Sequence, residues 1–148
     1  MNVISLLIPK GQVAYLYDDF TVRQGLEKLR NGGYTALPVL SRDGSYVGTV
    51  SEGDFLWNIL DRGDNNLKAQ ERVGLKNIIR PGFNPAVHVD VELGELLDRA
   101  MKQSFIPVVD DRGAMVGIVT RQNIIRRLTR PNLQHPQFKT QPIGAFVH

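Results

Sequence analysis

The sequence contains no cysteine among its 148 residues. That absence excludes disulfide bonds, thiolate catalysis and zinc sites with cysteine ligands. No apolar run approaches the roughly 18 residues that a membrane-spanning helix needs. The apolar segment at 3–8 also lacks the basic leader and the small-residue cleavage site of a secretory signal. We therefore expect a cytoplasmic protein without a membrane partner.

Acidic residues are absent from the last quarter of the chain. Residues 112–148 hold six basic and no acidic side chains, whereas residues 1–111 hold 12 basic and 15 acidic ones. The basic stretch is either a solvated helix face followed by a tail, or an anion site for phosphates. Both interpretations stay open at this point.

Motifs for catalysis are also missing. The chain has neither a glycine-rich phosphate loop followed by lysine nor a Gly-x-Gly-x-x-Gly run. Its three histidines, His88, His135 and His148, lack ligand spacing, and none lies near Ser51 in sequence to activate it as a nucleophile. The sequence thus favours a protein that is not an enzyme and requires no cofactor.

What the chain does contain is an internal repeat. Residues 35–54 and 104–123 match over twenty positions at a constant offset of 69 and without a gap. The matched pairs are Pro38 with Pro107, Gly44 with Gly113, Gly48 with Gly117, and Ser51 with Thr120. A match of this length and chemistry indicates two copies of one structural unit.

Each copy predicts a hairpin followed by a helix. An apolar run around the proline reads as a strand, and the proline should lie at the start of the strand or on a sheet edge, because it has no N–H to donate. Asp43-Gly44 and Arg112-Gly113 mark the turns. Ser51 and Thr120 are N-cap candidates for the helices that follow the returning strands.

Upstream of each hairpin the pattern predicts a short strand and a helix. The strands cover residues 13–17 and 86–89, and the caps are Thr21 or Asp19 in the first copy and Asp90 in the second. The unit is therefore strand–helix–strand–strand–helix, used twice in an α+β fold. We assign residues 1–60 to the first repeat, 61–76 to a polar linker, 77–130 to the second repeat and 131–148 to an extended tail.

The repeated motif resembles the CBS domain: hydrophobic-Pro-Val, a turn, Val-Gly-hydrophobic-hydrophobic, then Ser/Thr-x-x-Asp. Two copies resemble the CBS pair, or Bateman module, and the chain is similar to small stand-alone bacterial CBS proteins, some of which bind cyclic di-AMP. The resemblance implies two three-stranded sheets packed as a pseudo-twofold pair with two clefts between the copies. It also implies a homodimer.

The resemblance assigns roles to the helix starts. The final aspartate of the motif accepts hydrogen bonds from both ribose hydroxyls, and the Ser/Thr hydroxyl meets phosphate near a helix N-terminus. These positions are Ser51 and Asp54 in the first copy and Thr120 and Asn123 in the second. Asn123 has one acceptor and no charge, so it predicts weaker ribose binding.

Charge next to these positions also differs between the copies. Arg121 follows Thr120 and offers a bidentate contact to phosphate, whereas the matching residue in the first copy is Glu52, which would repel phosphate. The two clefts are therefore predicted to differ in chemistry. The competing interpretation of Asp54 is an exposed acid in the first turn of a helix.

Adenine-binding positions of the family fall on the first strand and the pre-proline segment of each copy. They are Val13, Ala14, Thr35, Ala36 and Pro38 in the first copy and Ala86, Val87, Phe105 and Pro107 in the second. Ordinary core packing explains Val13, Ala36 and Phe105 equally well.

The sequence thus predicts a regulatory sensor that binds an adenine nucleotide (AMP, ADP, ATP or cyclic di-AMP) and acts in trans on an unidentified protein partner. One alternative is a dimerisation module with empty clefts. A second, less favoured alternative is nucleic-acid binding through the basic C-terminal region, where no aromatic residues lie among the arginines.

Overall fold

A computed structural model of the chain describes residues 2–62 and 69–129. Within these ranges the predicted order of strand, helix, strand, strand and helix occurs twice. The first copy comprises β2 (Leu16–Tyr17), α1 (Val22–Gly32), β3 (Ala36–Leu40), β4 (Tyr46–Ser51) and α2 (Glu52–Arg62). The second comprises β5 (Val87–His88), α3 (Leu93–Lys102), β6 (Phe105–Val109), β7 (Met115–Thr120) and α4 (Arg121–Thr129). One further strand, β1 (Ile8–Pro9), precedes both copies.

The two sheets confirm the α+β repeat but differ in strand number. The sheet of the first copy has the order β2-β3-β4, and that of the second has the order β1-β7-β6-β5. The prediction of two three-stranded sheets is therefore wrong for the second copy. Its extra strand is β1, which comes from the segment leading into the first copy and pairs antiparallel with β7, Ile8 opposite Ile118.

Glycine makes this extra pairing possible. A Cβ atom built on Gly117 would collide with the backbone of Ile8, so only a residue without a side chain lets β1 lie against β7. Gly48, the equivalent residue in β4, is likewise approached by Ile79, here through its side chain. The segment leading into each copy therefore packs on the returning strand of the other copy.

The repeated prolines are not at strand starts or on outer strands as predicted. Pro38 is the third residue of β3, the central strand of its sheet, where it lies opposite Thr49. The neighbouring strand β2 pairs only with Val39 and Leu40. Pro38 thus occupies a local edge within a central strand, and its missing N–H removes no hydrogen bond to β2.

The helix starts follow the predicted chemistry with one correction. Thr21 and Gln24 form a reciprocal capping box at the start of α1. In α3 the N-cap is Glu92 rather than Asp90, and it makes no side-chain cap. Asp90 instead hydrogen-bonds Nδ1 of His88.

Three apolar clusters form the core, one in each copy and one between them. Val73 and Leu75, both within the predicted polar linker at 61–76, are buried in the first copy's cluster. Val3 and Leu6, from the apolar segment near the chain start, are buried in the second copy's cluster. The shared cluster contains Val13, Leu40, Phe105, Met115 and Ile118.

The two hairpin turns contact each other through a reciprocal pair of hydrogen bonds. The Tyr46 N–H donates to the Gly113 carbonyl, and the Met115 N–H donates to the Gly44 carbonyl, both over 3.0 Å. Each bond maps onto the other when the offset of 69 is applied. The two hairpin turns therefore obey the pseudo-twofold relation between the copies.

None of the helices in the described ranges is long and apolar enough to cross a membrane.

Candidate functional site

The strand registers define how the two copies correspond outside the hairpins. Leu16 pairs with Val39 in the first copy, and Val87 pairs with Val108 in the second. The offset in the lead-in segments is therefore 71 rather than 69. By this correspondence Arg80 occupies the place that Pro9 holds in the first copy.

A cleft, called here the first cleft, lies where residues 79–85 meet β4. The equivalent place in the pseudo-twofold arrangement, where residues 8–14 meet β7, is called the second cleft. The first cleft has a volume of about 340 Å³ and is lined by residues of β4 and of the lead-in, together with Lys76. Small-ligand sites have volumes from about 300 Å³ upward. Two lining side chains, Lys76 and Arg80, are cationic, so the cleft favours an anionic ligand.

Asp54 lies in the first turn of α2 with its side chain only 4% exposed. Its Oδ2 accepts hydrogen bonds from the Ser51 N–H over 2.8 Å and from the Ser51 hydroxyl over 3.1 Å. These bonds satisfy groups at the start of the helix. The interpretation of Asp54 as an exposed surface acid is therefore wrong.

Arg80 connects this buried carboxylate to the cleft. Its Nε donates to Oδ1 of Asp54 over 2.6 Å, while the Arg80 side chain is itself 54% exposed and lines the cleft. The guanidinium carbon lies 3.8 Å from the centroid of the Phe83 ring, a cation–π contact. Arg80 thus joins a buried carboxylate to a cleft lined by two cations and the Phe83 ring.

A buried polar network lies behind Tyr46, another lining residue. The Tyr46 hydroxyl is 2.7 Å from the Thr49 hydroxyl and donates to the Asn84 carbonyl over 2.7 Å. Asn84 Nδ2 donates to Thr49 Oγ1, and Gln103 Nε2 donates to Asn84 Oδ1. Burial raises the pKa of Tyr46 to about 12, which keeps its hydroxyl a hydrogen-bond donor well above neutral pH.

The second cleft differs from the first at its polar positions. Val13, Met115 and Ile118, which correspond to Asn84, Tyr46 and Thr49, pack together in the shared apolar cluster. The adjoining lead-in is strand β1, hydrogen-bonded along β7. Because Pro9 and Asn123 replace Arg80 and Asp54, this cleft lacks both members of the ion pair.

The predicted polar residues of the second copy are engaged within the protein. The buried Thr120 hydroxyl accepts the Asn123 N–H over 3.1 Å, which confirms Thr120 as an N-cap. Arg121 donates from Nε to the Ala100 carbonyl over 2.6 Å. Its proposed phosphate contact would have to use the remaining guanidinium nitrogens.

The predicted adenine-binding residues lie along the core rather than in the cleft of 340 Å³. The buried members are Val13, Pro38, Val87, Phe105 and Pro107. The half-buried members are Ala14, Thr35, Ala36 and Ala86. The Thr35 carbonyl accepts the Glu52 N–H over 2.9 Å, as the Ser104 carbonyl accepts that of Arg121 in the second copy.

Sequence reasoning missed the residues that line the first cleft. They are Tyr46, Lys76, Arg80 and Phe83, with their neighbours in the lead-in. Aligning the two lead-ins at their own offset of 71, rather than at 69, would have set Arg80 against Pro9 and marked it as a difference between the copies.

Comparison with known proteins identifies the same two copies. The family model described as the CBS domain matches residues 7–61 and 75–130. The uncharacterized protein MJ1426 of Methanocaldococcus jannaschii is 26% identical over 141 residues, covering 76% of this chain and 84% of the relative.

Among solved structures, CbpB in complex with c-di-AMP has a TM-score of 0.79 at 21% identity, covering 87% of this chain and 85% of its own. CBSX2, a protein of Arabidopsis thaliana, in complex with AMP has a TM-score of 0.70 at 25% identity, covering 88% and 97%.

Proposed function

The chain belongs to the CBS-domain family, and on that premise we propose that it is a regulatory module that binds an adenine nucleotide in its first cleft and acts in trans on a partner protein. The observation that carries the proposal is the buried Asp54 carboxylate, joined through Arg80 to a cleft lined by two cations. The likeness to CbpB with c-di-AMP and to CBSX2 with AMP supports the ligand class.

The chemistry of the first cleft suits the two ends of a nucleotide. A carboxylate offers two acceptor oxygens to the hydroxyls of a ribose. Arg80 and Lys76 offer cationic donors to phosphate, and arginine matches phosphate geometry in particular. The phosphate group is thus assigned to Arg80, in the first cleft, rather than to Arg121.

One nucleotide site per chain follows from the differences between the clefts. The second cleft has Asn123 in place of the carboxylate and Pro9 in place of the cation. The residues that correspond to the polar network of the first cleft are apolar there. We propose that the ligand acts as a signal and that the chain catalyses no reaction on it.

A second candidate function, an interaction module that works without ligand, is favoured by a different observation. Helices α2 and α4 expose large apolar side chains, among them Trp57 at 64% and Leu56 at 56%. The others on these helices are Leu60, Ile125 and Leu128. Burial of such side chains against a second copy would support the homodimer that the sequence predicts.

Thermal unfolding in the presence of AMP, ADP, ATP and cyclic di-AMP separates the two functions. A ligand that binds only the native state stabilises it by about 2.7 kcal/mol at a concentration 100-fold above its Kd. We expect a shift for at least one nucleotide, its loss in Asp54→Ala and its retention in Asn123→Ala.

A midpoint of thermal unfolding that no nucleotide shifts would contradict the sensor function and leave the interaction module. In that case sedimentation of the chain should still show a dimer that Trp57→Glu dissociates. Loss of the shift in Asn123→Ala alone would move the site to the second cleft.

A further inference from the structure

We propose that Arg80 is a latch on the first cleft: it occupies the ribose-binding carboxylate until a phosphorylated ligand draws it away. The inference rests on the proposed function and adds to it a rule of selectivity. A nucleotide with phosphate should bind, whereas the same nucleoside without phosphate should bind poorly.

The first step of the argument is competition for Asp54. Oδ2 already accepts two hydrogen bonds from Ser51, and Oδ1 accepts the Arg80 Nε–H over 2.6 Å. Both carboxylate oxygens are therefore engaged inside the protein. A ribose diol in the cleft has to take the place of Arg80, because the carboxylate is only 4% exposed and Arg80 lies between it and the cleft. The bonds to Ser51 belong to the start of α2.

The second step is that Arg80 is free to move and Asp54 is not. The Asp54 side chain is 4% exposed and that of Arg80 is 54% exposed. The guanidinium lies on the cleft side of the pair, where it packs on Phe83. It can swing into the cleft without disturbing α2, and this movement also uncovers the Phe83 ring.

The third step is the balance of charge. Removal of Arg80 from Asp54 breaks an ion pair, and a neutral diol replaces only its hydrogen bonds. A phosphate in the cleft gives the released guanidinium a new anionic partner beside Lys76. A phosphorylated ligand therefore compensates for the lost pair, whereas a nucleoside leaves the guanidinium without an anion.

The second copy supports the view that the two residues act as one device. Pro9 stands at the place of Arg80, and Asn123 stands at the place of Asp54. Both members of the pair are thus absent together from the second cleft. Within the described ranges, an ion pair between a lead-in segment and the first turn of the helix that ends a copy, α2 or α4, occurs at the first cleft alone.

The test measures adenosine and ADP binding by isothermal titration calorimetry on the full chain and on Arg80→Gln. Removal of the latch should tighten adenosine binding about two- to fivefold, the range of a partly exposed ion pair. It should weaken ADP binding about tenfold or more, as expected for loss of a charge-assisted hydrogen bond. The two ligands therefore respond in opposite directions.

Two further variants complete the design. Arg127→Gln removes an equal charge from the exposed end of α4, outside the cleft lining, and should leave both affinities unchanged. Arg80→Lys keeps the charge and should retain most of the preference for ADP; it also serves if Arg80→Gln unfolds.

A latch is overturned if adenosine and ADP weaken together in Arg80→Gln, since Arg80 would then be a simple binding group. Unchanged affinities for both ligands would equally overturn it. If neither the unaltered chain nor any variant binds adenosine, ADP or cyclic di-AMP, the proposed nucleotide-binding function itself fails.

Discussion

The side chain of Asn84 joins the two copies by donating from Nδ2 to Oγ1 of Thr49 over 3.1 Å. Asn84 has a φ of +56°, the left-handed region that asparagine tolerates better than most residues. This geometry places its amide between Thr49 of the first copy and Gln103 of the second. The contact between copies at the first cleft is therefore polar and buried, whereas its equivalent at the second cleft is apolar.

Removal of one hydroxyl from this network should lower stability measurably. In Tyr46→Phe the Asn84 carbonyl and the Thr49 hydroxyl each lose a buried partner, which costs about 1–3 kcal/mol in the free energy of unfolding. Urea denaturation measures the loss. Tyr34→Phe is the control, because the Tyr34 hydroxyl makes no hydrogen bond with the described residues, and it should be nearly neutral. Equal effects of the two variants would contradict the role of the network.

Gly117 and Gly48 give a matched pair of packing variants. Gly117→Ala places a methyl group against the backbone of Ile8, which has to move with the whole of β1. Gly48→Ala meets the γ2 methyl group of Ile79 rather than backbone, so the side chain of Ile79 has to shift but no strand has to move. We expect a loss of about 1–3 kcal/mol for Gly117→Ala and a smaller loss for Gly48→Ala, measured by urea denaturation. The reverse order would mean that β1 is not held against β7 in solution.

The Thr120 N-cap provides a local test at the start of α4. Thr120→Ala removes the hydroxyl that accepts the Asn123 N–H and should cost about 1 kcal/mol in the free energy of unfolding. Thr120→Ser keeps the hydroxyl and should recover most of the loss; thermal melts of both variants measure the difference. If Thr120→Ser is as unstable as Thr120→Ala, the hydroxyl is not the stabilising group.

His88 predicts how stability depends on pH. Its Nδ1 lies 2.7 Å from Asp90 Oδ1, and its Nε2 lies 2.5 Å from Asp111 Oδ1. The hydrogen bond with Asp90, followed by the one with Asp111, raises the pKa of His88 above its ordinary value of 6.5. The charged ring of His88 stabilises the folded state. Its contribution to the free energy of unfolding is complete below about pH 6.5 and disappears as the pH rises through the raised pKa. Melting temperatures of the native chain should fall over this interval relative to those of His88→Gln. A difference that grows with pH instead would reverse the assigned sign.

The hairpins and helices were predictable because the residues that define them are close in sequence. The proline, the turn glycine and the N-cap of each copy lie within twenty positions, so the repeat exposes them directly. The cap of α3 was misplaced, because Asp90 and Glu92 are both acidic residues ahead of one apolar face and sequence does not say which has the capping backbone angles.

The cleft was less predictable because its parts are distant in sequence. Asp54 was identified from its motif, but its partner Arg80 is 26 residues away in a segment that looks like ordinary loop. The position of β1 was missed for a similar reason. Ile8 and Pro9 show no alternating pattern, and their partner strand begins more than a hundred residues later.

The paired bonds between the hairpin turns have a further consequence. An interface in which every contact occurs twice, with the roles exchanged, is the hallmark of two identical subunits. Tyr46 with Gly113 and Met115 with Gly44 meet that condition inside one polypeptide. A dimer of identical subunits changes both of its sites whenever its gene mutates once. Two halves encoded in tandem escape that constraint, so one half can carry an arginine where the other carries a proline.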